Sequence, residues 1–393
     1  MNRSQLLVPA LGLIISVLVG IAVVTGWPSD STVAASPVER PDTSLVWAQI
    51  FGVAQAAAFV LFLVSLVVVR RRPSRLMVIL GLAIVIQLLP LAGPMILSSD
   101  GWSYWSVGRI ASVLGGNPYV DVAASFPADI STAYVFQAWQ EQVTPYGPVW
   151  VGASAVAALG SGADATLSTW LFRAAAAAAM VALAVMVSRA SPRPAFAAMF
   201  VGWNPVFAMQ FAGSGHNDAV MAALLIGGLL AAAAAHHRLG GLGWAIAAGV
   251  KWLPLVLLPL QATDELARKR GSLVAWTLVS LIALGLVSSF AFGPSWLNAT
   301  SPMTENATVG IRSVAIWPRL EWLLPSTLVR FGPIVLFGIA YLLLMWQAWR
   351  GRTRRGLAIG LFFVASPMLW PWYLIAPAAL SAYEDDGMAM LLS

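Results

Sequence analysis

The chain has 393 residues, 59% of them apolar and only 10% charged, with a formal net charge of +6. Mean hydropathy is +0.81. An ordinary soluble domain carries about 25% charged residues, so this chain cannot clothe a globule in polar surface. A soluble enzyme, a disordered chain and a nucleic-acid-binding domain are excluded, and the bulk of the protein belongs in lipid. The basic pI near 10.1 fits arginines anchoring membrane segments on the cytoplasmic side. Cysteine is absent, which removes disulfides, thiol catalysis and Cys-ligated metal. The three histidines are His216, His236 and His237.

Apolar runs ended by charge, Pro or Gly predict spans at Leu6–Thr25, Val46–Val69, Leu76–Leu97, Thr166–Ser188, Ala195–Phe211, Ala219–Ala235, Ser272–Phe292 and Ser326–Ala348. The first run is long for a cleaved signal and reads as a retained anchor. Gly240–Ala262 is interrupted at Lys251 and Pro254, and Gly356–Tyr383 at Pro367, Pro371 and Pro377. Arginine placement decides how these two are counted. If each is a hairpin that enters and leaves on one side, the Arg70–Arg75, Arg268–Arg270 and Arg350–Arg355 clusters all fall on the cytoplasmic side. A single span at Gly240–Ala262 would put the last two clusters outside, against the positive-inside rule. The expected fold is an all-α polytopic membrane protein. It has about twelve transmembrane or half-transmembrane helices, external juxtamembrane helices and cytoplasmic termini. Residues 1–393 form one domain with two large external loops, 100–165 and 293–325.

The first large loop opens Ser98-Ser99-Asp100-Gly101-Trp102-Ser103-Tyr104. An aspartate at the lipid–water boundary reads either as a solvated acid beside an aromatic belt or as a general base. Partial desolvation would raise its pKa for that task. Gly108-Arg109 and Gly116-Asn117-Pro118-Tyr119 follow, the latter turn chemistry. Pro145-Tyr146-Gly147-Pro148 then leads a short apolar stretch that fits an interfacial helix. Arg173, one to two turns into its span, reads as a snorkelling end residue or as a ligand for an anion. In Gly213-Ser214-Gly215-His216-Asn217-Asp218, small residues precede a polar trio, which suggests backbone close to a ligand. Asp218 also fits a helix cap. Lys251, at the predicted hairpin tip beside Trp252 and Pro254, is an ammonium at membrane depth, and such groups usually have a task. Phosphate is its natural partner.

With these residues in order, the chain resembles the GT-C superfamily of polytopic glycosyltransferases. Within that superfamily it is similar to the actinobacterial polyprenyl-phosphate-mannose-dependent α-mannosyltransferases. The likeness runs from about Ser98 to Tyr373. It rests on Ser99-Asp100, Gly108-Arg109, Gly116–Tyr119, Tyr146-Gly147-Pro148, Arg173, Asn204-Pro205, Gly215–Asp218, Val250-Lys251 and Pro371-Trp372-Tyr373. It implies an inverting transfer of a mannosyl residue from a polyprenyl-phosphate sugar to a glycolipid or lipoglycan acceptor. The reaction would take place at the outer face of the cytoplasmic membrane.

In that scheme Asp100 is the catalytic base, and Lys251 and Arg173 bind the donor phosphate, with Arg312 or Arg319 in reserve. His216, Asn217, Asp218, Tyr104, Arg109, Trp372 and Tyr373 contact substrate. Many members of the family carry adjacent acids in the first loop. Here Ser99 and Gly101 flank Asp100, so a second acid would have to be Asp218. No cofactor and no resident metal are expected, although a divalent ion stays open where the two aspartates converge. Arabinofuranosyl transfer from a decaprenyl phosphosugar and transport of a polyprenyl-linked glycan are the alternatives. Nucleic acid is not an expected partner.

Overall fold

The computed structural model describes residues 3–36, 42–71, 74–269, 271–300 and 313–393. Arg40, Arg72, Arg270 and Arg312 therefore lie outside the described residues. The protein is an all-helical polytopic membrane protein. Its helices are α1 (Arg3–Val24), α2 (Leu45–Arg71), α3 (Leu76–Leu88), α4 (Asp100–Ser112), α5 (Gln137–Gln140), α6 (Pro148–Ser161), α7 (Ala165–Ala190), α8 (Pro194–Gly202) and α9 (Pro205–Ala208). They continue with α10 (Asp218–Ala233), α11 (His237–Val250), α12 (Leu258–Arg268), α13 (Leu273–Phe292), α14 (Ser326–Trp349), α15 (Arg355–Ala365), α16 (Ile375–Glu384) and α17 (Gly387–Leu391).

Among the described residues, five helices are long and apolar enough to cross a membrane: α1, α2, α7, α13 and α14. The stretch read as one span at Ala195–Phe211 is a bent pair, α8 and Pro205–Gly213, with a 48° angle between the halves. Pro205 explains the break, because it donates no N–H and pushes the preceding residue out of helix. Asn204 caps the new start, its side chain accepting from the Val206 and Phe207 amides. The predicted span to Leu97 ends its α-helix at Leu88 and finishes as a tighter turn over Leu89–Ala92, around Pro90. The first external loop is largely helical: Asp100 is the first residue of α4, and α6 packs along α4.

Side-chain pairing and packing bring the open ends of both interrupted segments together, with His237, Gln261, Asp264 and Arg355 lining one pocket. The Arg355 and Gly356 amides both donate to Glu384, and the Arg355 guanidinium bonds Glu384 at 3.0 Å. The start of α15 thus meets the end of α16. Arg355 also bonds Gln261 of α12, and Arg268 reaches the Gly351 carbonyl. Both hairpins therefore open on one face, where Arg354 also pairs with Asp386 at 2.6 Å and Arg193 with Asp385. Their tips, at Lys251 and at Trp370–Tyr373, meet on the opposite face.

α7 lies at the centre. Half of its most apolar window is buried, against 11% for α14. Phe172, Ala176, Met180, Leu183 and Val187 of α7 enter a core with Trp105, Trp150 and Trp244. A second core binds α1, α2 and α3 around Trp203, whose indole donates to the Ile79 carbonyl at 2.9 Å. The exposed apolar faces of α13 and α14, such as Phe290, Leu286 and Leu336, suit hydrocarbon.

The hairpins fix which loops share a face. Single cysteines replacing the exposed residues Ser125 and Arg352 should react with an impermeant thiol reagent from opposite sides of the membrane. The chain has no native cysteine, so labelling of both from one side would reject the crossing count.

Candidate active site

Asp100 opens α4, where the helix dipole favours an anion. Its Oδ2 faces His216 Nδ1 at 3.1 Å and accepts long bonds from the Tyr146 and Tyr104 hydroxyls, at 3.4 and 3.5 Å. Its Oδ1 accepts from the Ser98 hydroxyl at 3.0 Å. A carboxylate has no hydrogen to offer, so His216 carries its hydrogen on Nδ1 and donates it. Burial pushes the Asp100 carboxyl up, but the His216 ring, Ser98 and the nearby Lys251 ammonium hold it below its ordinary value. Desolvation acts in the raising direction the sequence suggests, and the donors around Asp100 act against it. Burial, reinforced by neighbouring phenol and carboxylate groups, lifts the Tyr104 hydroxyl far up, and burial with the Asp100 charge does the same for Tyr146. Both remain donors to Asp100.

Lys251 sits where α11 ends, in extended backbone. Its ammonium bonds Asp218 Oδ1 at 2.7 Å and lies 4.2 Å from the centre of the Tyr373 ring. The side chains are 12% and 2% exposed, so Lys251 does not snorkel to headgroups. Asp218 is the first residue of α10, and the residue in the cap position is Asn217. Trp372 stacks flat on His216, with ring centroids 3.8 Å apart and planes 13° apart. His216 and Asn217 are fully buried. His216 Nε2 and both Asn217 amide atoms have no hydrogen-bond partner among the described residues.

Asp100, Tyr146, Lys251, Trp372 and Tyr373 border a cavity of about 370 Å³, whereas Tyr104, His216, Asn217 and Asp218, expected to contact substrate, are buried outside its lining. The rest of the lining is mainly apolar, with Ile110, Pro118, Val135, Phe136 and Trp139 beside Asp121, Gln142 and Thr144. Such a cavity suits a ligand with a charged or polar end and a greasy remainder. Among the described residues no three His, Asp or Glu side chains converge. Asp100 and Asp218 each hold a different partner, His216 and Lys251.

Two basic residues expected at the site are engaged elsewhere. Arg173 is buried and donates to three backbone carbonyls, Ala212 at 2.7 Å, Gly93 at 3.0 Å and Pro90 at 2.5 Å. It ties α7 to the end of α3 and to the π-turn Met209–Gly213. Arg109 pairs with Asp129 at 2.7 Å, donates to the Gly162 carbonyl and lies over Trp105. Burial would raise the Asp129 carboxyl, yet Arg109 and Ser131 hold it at about 2. Arg319 donates to the Ser313 carbonyl. The small residues before His216 serve packing: a Cβ on Gly215, at φ +82°, would crowd Arg173 and Phe172.

Tyr146 is the functional-site residue that the sequence reading left among loop chemistry. Its position is fixed by Gly147, whose amide donates to the Val250 carbonyl at 3.1 Å. A Cβ there would collide with the Gly249 carbonyl. The Tyr-Gly-Pro spelling was the available signal: a glycine allowing close approach beside an aromatic hydroxyl.

The fold and site together define a class, a polytopic membrane protein with an aspartate, an imidazole and an ammonium gathered at one face beside a half-apolar cleft. The chain belongs to the MptA_B family, whose model, alpha-(1->6)-mannopyranosyltransferase, N-terminal domain, matches residues 9–264. It is 26% identical over 276 residues to a "Probable alpha-(1->6)-mannopyranosyltransferase" of Mycolicibacterium smegmatis (strain ATCC 700084 / mc(2)155). That match covers 66% of this chain and 47% of the relative, so the chain spans about half the length of the curated relative it matches. No solved structure matches.

Arg173 closes three backbone carbonyls, and its removal should act on stability. Arg173→Met strands those acceptors, at about 1–3 kcal/mol for each buried group left unpaired. It should lower the melting temperature of the detergent-purified protein markedly. Unchanged melting would show that the three bonds contribute nothing.

Proposed function

We propose that the protein is an inverting α-mannosyltransferase with Asp100 as base. Its donor is a polyprenyl-phosphate mannose and its acceptor a glycolipid or lipoglycan hydroxyl. It works at the outer face of the cytoplasmic membrane. The observation that carries this reading is the gathering of Asp100, His216 and Lys251 beside one half-apolar cavity in a chain of this family. The relative's printed name supports the sugar. The arginine clusters on the opposite face support the orientation, since basic loops stay cytoplasmic.

In the reaction, the acceptor oxygen attacks the anomeric carbon, and its proton passes to Asp100. The new C–O bond forms as the bond from the anomeric carbon to the phosphate oxygen breaks. That electron pair leaves on a polyprenyl phosphate monoester. Asp100 Oδ2 is occupied by three donors and Oδ1 by the Ser98 hydroxyl alone, so Oδ1 is the oxygen that takes the proton. Lys251 faces the leaving phosphate. One of its three N–H groups holds Asp218, leaving the others for phosphate oxygens, and a preorganised cation opposite developing charge is the main lever of such transfers. The apolar part of the cavity lining receives the first isoprene units. Arg173 takes no part in phosphate binding in this scheme, because it lies outside the cavity lining and is held by three backbone carbonyls.

Asp100→Asn should reduce transfer from radiolabelled polyprenyl phosphomannose by about 10²–10⁴-fold while the protein still inserts and binds donor, the usual cost of losing a general base. Near-normal turnover would remove Asp100 from that role. Lys251→Gln should raise the KM for donor more than the KM for acceptor. Arg at this position should rescue only partly, because a planar fork does not replace a compact ammonium. Equal effects on both substrates would place the phosphate elsewhere.

A further inference from the structure

The tip of the α15–α16 hairpin lies outside the residues matched by the family model, yet it touches both halves of the site. Trp370 stacks on Trp372 at 5.1 Å and 6°. Trp372 stacks on His216 at 3.8 Å and 13°. Trp372 also meets Tyr373 edge-on at 5.9 Å, and Tyr373 lies under the Lys251 ammonium. His216 has a single polar tether, from Nδ1 to Asp100, because Nε2 has no partner among the described residues. One hydrogen bond at one ring atom leaves the imidazole free to tilt about its side-chain torsions, since a terminal sp³–sp² torsion is broad. A flat indole at van der Waals distance removes that freedom, and a second indole behind it prevents the first from yielding.

We propose that Trp372 is a positioning residue that acts through His216 on Asp100: it holds the imidazole plane so that Nδ1–H stays on Oδ2 and Oδ1 faces the acceptor hydroxyl. The hairpin tip thereby sets the reactivity of a base carried by α4, more than 250 residues earlier in the chain. This rests on the reading of Asp100 as base. It differs from a sugar-stacking role for Trp372, because the indole face used here is already covered by the His216 ring. A substrate platform would show in KM. A positioning residue shows in kcat and in the pH at which the base is lost.

The sign of the pH effect follows from the groups facing Asp100. These are Tyr104 on its own helix, Tyr146 before α6, His216 before α10, Lys251 at the tip of α11 and Tyr373 at the hairpin tip before α16. Weakening the His216 N–H bond removes a stabiliser of the carboxylate and raises its pKa. The acid limb of kcat then moves to higher pH.

The experiment measures kcat, donor KM and the pH profile of kcat in membranes supplied with polyprenyl phosphomannose. The proteins compared are wild type, Trp372→Leu, Trp372→Phe, His216→Asn and the double variant Trp372→Leu with His216→Asn. Trp372→Leu should lower kcat by about tenfold to a hundredfold, the range a small misplacement produces, with donor KM within about twofold and the acid limb at higher pH. Trp372→Phe, which keeps a flat face, should recover most of the loss. His216→Asn puts an amide N–H near the position of Nδ1 without a ring to stack, so adding Trp372→Leu to it should change little further.

If Trp372→Leu does not accumulate in membranes, Trp372→Phe is compared instead. Its smaller face should give a partial loss in wild type and none beside His216→Asn. A raised donor KM with unchanged kcat and pH profile would overturn the proposal in favour of a substrate platform. Additive losses in the double variant would overturn it in favour of a merely structural indole. An active Asp100→Asn enzyme would refute the base assignment itself. An inactive one, alongside a Trp372→Leu enzyme of normal kcat, would refute only the present inference.

Discussion

The site depends on a buried ion pair at a break in a hairpin. Lys251 and Asp218 meet at 2.7 Å, with little of either side chain exposed. Withdrawing two such charges from water costs several kcal/mol per ion, and their attraction offsets this only when geometry is tight. The geometry here comes from two helix ends. Asp218 begins α10, where the dipole favours an anion. Lys251 follows the last turn of α11, in backbone that Pro254 keeps from resuming a regular helix at once. α10 and α11 pack closely enough that Gly228 and Gly240 approach backbone to backbone. Strong helix packing thus brings the ends of both helices to one level, and the pair forms there.

The spans were legible because hydrocarbon tolerates little else than long apolar helices, and their ends agree with the sequence to within a few residues at α2, α7, α13 and α14. The hairpins were legible from arginine placement, a signal outside the helices themselves. The bend at Trp203–Pro205 was spelled by Pro205 but masked by the continuous apolar run around it. Individual roles were harder to read. Arg173 and Lys251 look alike in sequence, each one basic residue inside an apolar stretch. Their fates diverge because three carbonyls freed by the irregular turns at Pro90, Gly93 and Ala212 converge on the guanidinium, whereas a carboxylate meets the ammonium. Irregular backbone about 40 and 80 residues away along the sequence leaves no local pattern near position 173. Tyr146 and the Trp372–His216 stack escaped for the same reason: each contact is set by where a hairpin or loop closes.

The buried arginines and the irregular backbone are two sides of one constraint. A membrane protein that bends its helices to build a site releases backbone carbonyls into a medium that offers them no water. A guanidinium with five donors can close several such groups at once, and Arg173 does so directly behind the π-turn that carries the chain to His216. Arg109 performs the same service for the Gly162 carbonyl, with Asp129 balancing its charge. Near the site, Arg173 and Arg109 thus close freed backbone carbonyls, while Lys251 reaches the cavity.

A similar division separates the two aspartates. Both are first residues of helices and both border the same polar region, but their partners differ. Asp218 is held by the Lys251 ammonium at 2.7 Å. Asp100 is held through one oxygen by an imidazole N–H and two phenols, none of which is a fixed cation, and its other oxygen accepts a single hydroxyl. A proton reaching Oδ1 of Asp100 meets only the Ser98 hydroxyl and leaves the three contacts on Oδ2 intact. This asymmetry supports the proposal that Asp100 takes the acceptor's proton while Asp218 holds Lys251 toward the cavity.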